Sequence, residues 1–358
     1  KVKYDIVPGD GYGDRLTTSF SSGEGYDIFL SGEGDFFKWV DMGLASSLQD
    51  LIDADEAYEV DMDPAVYNMG NIYEEQYYII KDYNPIALWY NRDLFDAQGV
   101  EYPDEDWTWD DLFAAAEELT VSEDGDIQSF GFNAQSWTYA VYTYLESLGL
   151  SVVSDDGETV DGYLNSPEVA EALDQYFELA RGDDRVSPNP SDLDTFGNAS
   201  AMLANGNLGM TIGGGWERSQ LVDAGANYGI ALVPGNHKAL ICAAGYTIGS
   251  RTEEREAAWE VLKLITNADT SALRVEEEAI LPAYEDQLKS FAEGLEDREK
   301  ALVETLEYGV QPIGMRSKAG NLIDKYFGEA LENIIYETDD TQAILDETVV
   351  IIQDELAK

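Results

Sequence analysis

The sequence predicts an α/β protein in which parallel sheets are flanked by helices, twice over. Three observations carry that expectation. At 358 residues the chain is long enough for about two domains with large buried cores. Short apolar runs suited to buried strands alternate with helix-length amphipathic stretches. The clearest run, Leu208 to Ile212, ends in Gly213-Gly214-Gly215 and Trp216. A large aromatic therefore follows a strand's carboxyl end, where open α/β sheets hold their ligands.

The elements follow in order. Val2, Tyr4 and Ile6 alternate with polar positions as a half-buried strand does, closed by a turn at Pro8 to Gly11. A helix from Gly13 to Ser21 leads to a second strand, Tyr26 to Leu30, read as buried on both faces, and a loop from Ser31 to Asp35. Asp35 is either the N-cap of a helix over Phe36 to Met42 or a hydrogen-bond acceptor for a neutral polar ligand. Gly32 and Gly34 lack the GxGxxG and lysine-serine context of a phosphate loop. Gln76 to Asn91 holds two strand-like runs around Lys81 to Pro85, a polar aromatic insert that is either a solvent turn or a crossing between lobes.

Helices are expected from Asp93 to Ala97, stopped by Gly99, and from Asp110 to Thr120, with Asp110 near the N-cap. Phe130 to Phe132 is a short strand, and Trp137 follows it in a polar loop, either as an anchor or as a ligand platform. Tyr139 to Leu148 is an aromatic helix. Ser151 to Gly162 reads as a small hairpin around Asp156-Gly157, and Asn165-Ser166-Pro167 caps a helix from Glu168 to Ala180. Tyr228 to Val233 and Leu240 to Ile248 are strands, the latter carrying Tyr246. Helices at Glu253 to Thr266 and Thr270 to Ala279, mainly helical sequence from Tyr284 to Tyr308, a polar link from Gln311 to Lys318 and two closing helices to Ala357 complete the chain.

Composition narrows the function. With 44% hydrophobic and 11% aromatic residues the chain folds, and no run reaches the roughly 20 apolar residues of a membrane span. No signal peptide is present, so a soluble protein is expected, in processed form if secreted. The 72 acidic and 21 basic residues leave a formal charge of −51. That surface disfavours nucleic acid and anionic membranes, and suits solubility in a salty or acidic habitat or, alternatively, a cationic ligand. The single Cys242 permits no internal disulfide and reads as a small buried side chain. His237 is the sole histidine and reads as a surface loop residue, and GxSxG, HExxH and CxxC are all missing. Paired carboxylates of a glycosidase are the remaining catalytic option.

Seven stretches then carry a resemblance. YDIFLSGEGDFFKWVDMGL (26–44), DYNPIALWYNRDLFDAQGV (82–100), DWTWDDLFAAAEELT (106–120), LANGNLGMTIGGGWE (203–217), YGIALVPG (228–235), GYTIGS before EREAAWEVLKLIT, and ILPAY (280–284) stand in the order found in one family. The chain resembles the family 1 extracellular solute-binding proteins that deliver sugars to ABC transporters. The resemblance implies two α/β lobes with largely parallel sheets, joined by crossing segments and closing over a ligand. It places the first lobe at 1–84 with 243–311, the second at 85–242 with 312–358, and the crossings at Asp82 to Pro85, near Cys242 and at Gln311 to Ile313.

The family's ligand positions fall on Ser31, Gly34, Asp35, Asp82, Tyr83, Asn84, Trp137, Trp216, Tyr246 and Arg316. No catalytic residue, metal or cofactor is implied. The expected partners are a sugar or oligosaccharide and the permease subunits of the transporter; the protein is expected to be a monomer, extracellular, lipid-anchored or periplasmic. Family members begin with a further strand and helix before the segment matching Lys1 to Ile6, so the first lobe's sheet is expected to be incomplete. A sugar's apolar C–H faces suit Trp216, Trp137 and Tyr246, and its hydroxyls suit Asp35, Asp82, Asn84 and Arg316. The three glycines would let a sugar reach the indole of Trp216. A polyamine or metal-cation binder and the glycosidase are the alternatives.

Overall fold

The computed structural model describes residues 2–7, 11–58, 62–124, 126–278, 281–336 and 340–356. Two long strands, Ile79–Asn91 and Ala239–Gly249, run antiparallel through the middle of the molecule. Asp82 stands opposite Ala244, Asn84 opposite Cys242 and Pro85 opposite Ile241, with an irregularity between Ala244 and Gly245. Ile79–Asn91 is buried at every position but Lys81 because both of its faces are covered. Strand alternation sends Ile86, Leu88 and Tyr90 into one core and Ala87 and Trp89 into another.

Each long strand joins separate apolar cores. Ile79, Ile80 and Tyr83 lie with Phe29, Phe36, Trp39, Ile248 and Leu262 in the first. Ile86 and Leu88 lie with Leu112, Phe132, Tyr176, Ile323 and Phe327 in the second. Ala87 and Trp89 pack with Leu203, Tyr228, Leu281 and Leu302 in a third, smaller one. Leu288 and Leu306 touch both the first and the third, so the stretch 281–306 straddles the molecule.

Around the first core Ala239–Gly249 pairs antiparallel with Ile28–Gly32. Beyond it, Ile79–Asn91 pairs antiparallel with Leu208–Gly214 and Tyr228–Ala231, and Leu208–Gly214 runs parallel to Asp126–Asn133. The α/β architecture with flanking helices is as expected. The parallel majority is not: the strands that cross between cores lie antiparallel to their main neighbours, and the sheet is mixed.

Local signals explain most helices. Thr108 and Asp111 form a reciprocal capping box at the start of Trp109–Leu119, so the cap falls two residues before Asp110. Asn91 caps Arg92–Gln98, which Gly99 ends at φ +72°. Ser166 caps Pro167–Glu178 through the N–H of Val169.

Three expectations change. Residues 2–7 form no strand and Ile6 is 93% exposed, because an alternating pattern needs a partner and none of the described residues pairs with it. The strand read at Tyr26 to Leu30 is Ile28–Gly32, with alternating rather than two-faced burial. The hairpin at 151–162 is a turn without strand pairing, held by Asp156 accepting from the Ser154 hydroxyl at 2.6 Å and the Glu158 N–H at 3.1 Å. Pro8 to Asp10, the helix end at Ala279, Ile280 and Ala357 lie outside the described residues.

Candidate functional site

The loop after Ile28–Gly32 meets the second core where the two long strands cross. Ser31 is buried; its hydroxyl accepts from the indole N–H of Trp39 at 3.1 Å and donates to the Gly32 carbonyl at 3.0 Å. Glu33 is buried beside it. One carboxylate oxygen accepts the backbone N–H of Ala243 at 2.8 Å, and the Tyr139 hydroxyl is hydrogen-bonded to the same carboxyl. Burial pushes Glu33 up to about 7, against the lowering effect of those bonds, and nearby Asp324 adds to the rise. Asp324 is itself pushed up to about 6 by burial and accepts from the Tyr142 hydroxyl at 2.8 Å.

Gly34 lies where backbones touch. A Cβ on Gly314, in the short helix Ile313–Arg316, would fall 2.6 Å from the Gly34 Cα, and one on Gly34 would fall 3.0 Å from the Tyr139 hydroxyl. Asp35 occupies the N-cap position of Phe36–Asp41 without capping it. Its carboxylate pairs with Lys38 at 3.0 Å. With its amide turned so that nitrogen faces these acceptors, Asn321 donates at 3.0 Å to both Asp35 and the Gly34 carbonyl.

Three rings adjoin the loop through Tyr139. Trp137 and Tyr139 stack at 5.5 Å with 5° between planes, and Trp137 meets Trp216 edge to face at 5.9 Å and 68°. All three are half-buried. Trp216 stands at the N-cap position of the helix Glu217–Asp223, and its N–H reaches the Glu217 carboxylate at 3.1 Å.

The glycine run before it has a different use from the one its composition suggested. A Cβ on Gly213 would come within 2.8 Å of Glu217, one on Gly214 would overlap the indole of Trp216, and one on Gly215 would lie 2.7 Å from the Asn84 amide oxygen. The space is taken by the protein's own side chains. That Asn84 oxygen is buried without a hydrogen-bond partner.

The remaining positions divide. Asp82 is buried and ion-paired with Lys81. Tyr83 sits in the first core, and its chain bridges to Leu281. Tyr246 pairs with Leu30 and Ile79 and packs on the first core, with the Arg274 guanidinium 5.7 Å over its ring; it makes no ring contact with either tryptophan. Arg316 is engaged by the buried carboxylate of Glu146 at 2.7 Å. His237 is a half-buried loop residue with Nδ1 2.8 Å from the Val233 carbonyl, and Cys242 is a buried free thiol.

Sequence reasoning passed over Glu33, Tyr139, Glu217, Asn321 and Asp324. Tyr139 and Glu217 are close in sequence to the two tryptophans, and that proximity is the one signal for them. Nothing in the sequence distinguishes Glu33 or Asp324 among 72 acids.

An aromatic wall, a polar loop and a double-strand crossing between cores define a scaffold for binding small solutes. The profile of the bacterial extracellular solute-binding proteins matches residues 1–272, and the chain belongs to that family. Among curated relatives, a binding protein of Brucella abortus is 24% identical over 299 residues, 80% of this chain and 70% of its own length. The diacetylchitobiose binding protein DasA of Streptomyces coelicolor is 26% identical over 223 residues, 61% of this chain and 48% of the relative.

Solved structures share the fold. The ABC substrate-binding protein Lmo0181 of Listeria monocytogenes, in complex with cycloalternan, has a TM-score of 0.89 at 24% identity, covering 100% of this chain and 92% of that one. The maltose/maltodextrin-binding domain MalE of Bdellovibrio bacteriovorus, bound to maltotriose, gives 0.80 at 18%, covering 98% and 90%. The GacH receptor of Streptomyces glaucescens, solved unliganded and with acarbose, gives 0.83 at 17%, covering 100% and 91%. Among the described residues no helix is long and apolar enough to cross a membrane.

Proposed function

We propose that this protein captures a neutral sugar or oligosaccharide between its two lobes and delivers it to the permease of an ABC transporter, without making or breaking a bond. The observation that carries the reading is the half-buried ring wall Trp137–Tyr139–Trp216 beside the polar loop Ser31–Asp35. Ring faces suit sugar C–H groups, and Asp35 and the unpartnered Asn84 oxygen suit hydroxyls. The ligands of the similar structures, cycloalternan, maltotriose and acarbose, are of the same chemical kind.

On this reading the first lobe is 1–84 with 243–311, of which 281–306 also packs on the core of Ala87 and Trp89, and the second is 85–242 with 312–358, hinged where Asp82–Pro85 passes Ile241–Ala244. Trp137 and Trp216 supply platforms, Ser31, Gly34, Asp35 and Asn84 the polar side of the cleft, and Asp82, Tyr83, Tyr246 and Arg316, each packed on or paired with the protein's own side chains, support those groups from behind. The protein acts outside the cell as a monomer, lipid-anchored or periplasmic.

Isothermal titration against neutral oligosaccharides tests this. Binding with no new reducing ends is expected; release of reducing sugar would overturn the non-catalytic reading. A thermal-shift panel that includes spermidine and calcium adds a second readout, since a true ligand stabilises the folded state by mass action. Stabilisation by spermidine or calcium alone would replace the sugar with a cation.

A further inference from the structure

Glu217 is a carboxylate with an unusual setting. It is half-buried, and the run of glycines before Trp216 leaves the space it fills: a Cβ on Gly213 would lie 2.8 Å from its Cγ and 3.0 Å from one carboxylate oxygen. One oxygen takes the Trp216 N–H at 3.1 Å; the other takes the hydroxyl of buried Ser200. No lysine or arginine among the described residues forms an ion pair with it, and neighbouring Arg218 turns to Glu299 instead, at 3.0 Å. Burial raises its affinity for a proton, and the two donors oppose that rise. Partly burying an acid with no cation costs stability, and a neutral side chain of the same shape would avoid that cost.

We infer that Glu217 is a positioning residue for the ligand site: it fixes the indole of Trp216 on Gly214, in edge-to-face contact with Trp137, and is itself anchored by Ser200. The inference rests on the reading of Trp216 as a ligand platform. A charge-assisted hydrogen bond restrains a ring more strongly than a neutral one. It also occupies the ring's only donor, so Trp216 meets a ligand through its π face alone. Accepting the indole N–H, the anionic carboxylate pushes electron density from that bond into the ring and enriches its face, which favours contact with polarised sugar C–H groups.

Fluorine NMR of the full chain labelled with 5-fluorotryptophan tests the positioning without any ligand. The Trp216 line is assigned by its loss in W216F. In Glu217→Leu that line is expected to shift or broaden, along with the Trp137 line it touches, while the other tryptophans hold. Glu217→Gln, which keeps an acceptor for the indole and a donor for Ser200 but not the charge, is expected to restore both lines only in part. Ser200→Ala, a milder change should the leucine variant fail to fold, is expected to broaden the same line. An unshifted, sharp Trp216 line in both Glu217→Leu and Ser200→Ala overturns the inference.

Maltotriose titration separates this from the platform reading. A loss of about tenfold in Glu217→Leu, absent when Trp216 is already alanine, is the expected result. If Trp216→Ala binds maltotriose as the unaltered protein does, the platform reading falls and the inference falls with it. A loss in Glu217→Leu that persists undiminished beside Trp216→Ala shows that Glu217 acts other than through the ring, and overturns the positioning role alone.

Discussion

Glu33 accepts the backbone N–H of Ala243 at 2.8 Å, so a buried carboxyl from the first loop is tied to the strand that crosses between the cores. Its pKa is pushed from 4.5 up to about 7, chiefly by burial. A carboxyl raised in the folded state binds a proton there that the unfolded chain has already released. Its stabilising contribution is therefore complete below about 4.5 and is lost as pH rises through about 7. Asp324, raised from 3.8 to about 6, works in the same direction over a lower window. Acidification also relieves self-repulsion at a net charge of −51, so the comparison with Glu33→Gln is the informative one. Urea unfolding at a series of pH values should show Glu33→Gln gaining on the unaltered protein as pH rises from 4.5 to 8, by an amount on the order of 1–3 kcal/mol. Parallel profiles would show that Glu33 titrates normally.

Trp216→Ala is expected to cost at least about 1 kcal/mol of oligosaccharide affinity, as loss of an aromatic platform implies, with the fold intact by circular dichroism. Trp137→Ala should behave similarly, because the two indoles share an edge-to-face contact. Unchanged affinity in titration would return Trp216 to the core.

Gly314→Ala is expected to push the Glu33–Asp35 loop off the helix Ile313–Arg316, since the added carbon would lie 2.6 Å from the Gly34 Cα and its carbonyl oxygen. Small-angle scattering with saturating oligosaccharide should show a larger radius of gyration than the unaltered protein, with affinity down about tenfold, or 1.4 kcal/mol. Gly32→Ala, with nothing within 4 Å of the new carbon, is the control. Equal scattering for Gly314→Ala and the control would sink this expectation.

Arg316→Ala should act first on stability. It strands the Glu146 carboxylate, which is 9% exposed, without its cation, a loss of about 3 kcal/mol for a buried partner. Replacing Arg316 and Glu146 together by leucine should recover most of it. If Arg316→Ala lowers affinity while leaving the urea midpoint unchanged, its guanidinium serves the ligand and not Glu146.

How far the sequence predicts the molecule depends on whether a signal is local. Capping serines and asparagines, the stop at Gly99 and apolar runs such as Leu208 to Ile212 act through neighbours in the chain, and those elements form as read. The strand at Val2 to Ile6 fails because pairing is not local: its alternation is present, and among the described residues no strand pairs with it. Strand direction is likewise set by how the chain returns, which period alone does not encode. In the site, the tryptophans stand out by chemistry, whereas Glu33 and Asn321 matter through contacts to residues more than 200 positions away. Tyr246 looked equivalent to the tryptophans in sequence, and its strand register instead seats it on the first core, under Arg274.

The paired strands at the crossing also limit how the two halves can travel. Bending a two-stranded ribbon across its face leaves the backbone bonds between Asp82–Pro85 and Ile241–Ala244 in place. Sliding one strand along the other would break them together, and a slip of one residue would turn Asp82 and Asn84 to the opposite side. The connection is soft to flexure and stiff to shear, like a strip of spring steel. If the two halves open there, the ribbon favours a swing that bends it over one that slides it, so the register that faces Asp82 with Ala244 and Asn84 with Cys242 is kept.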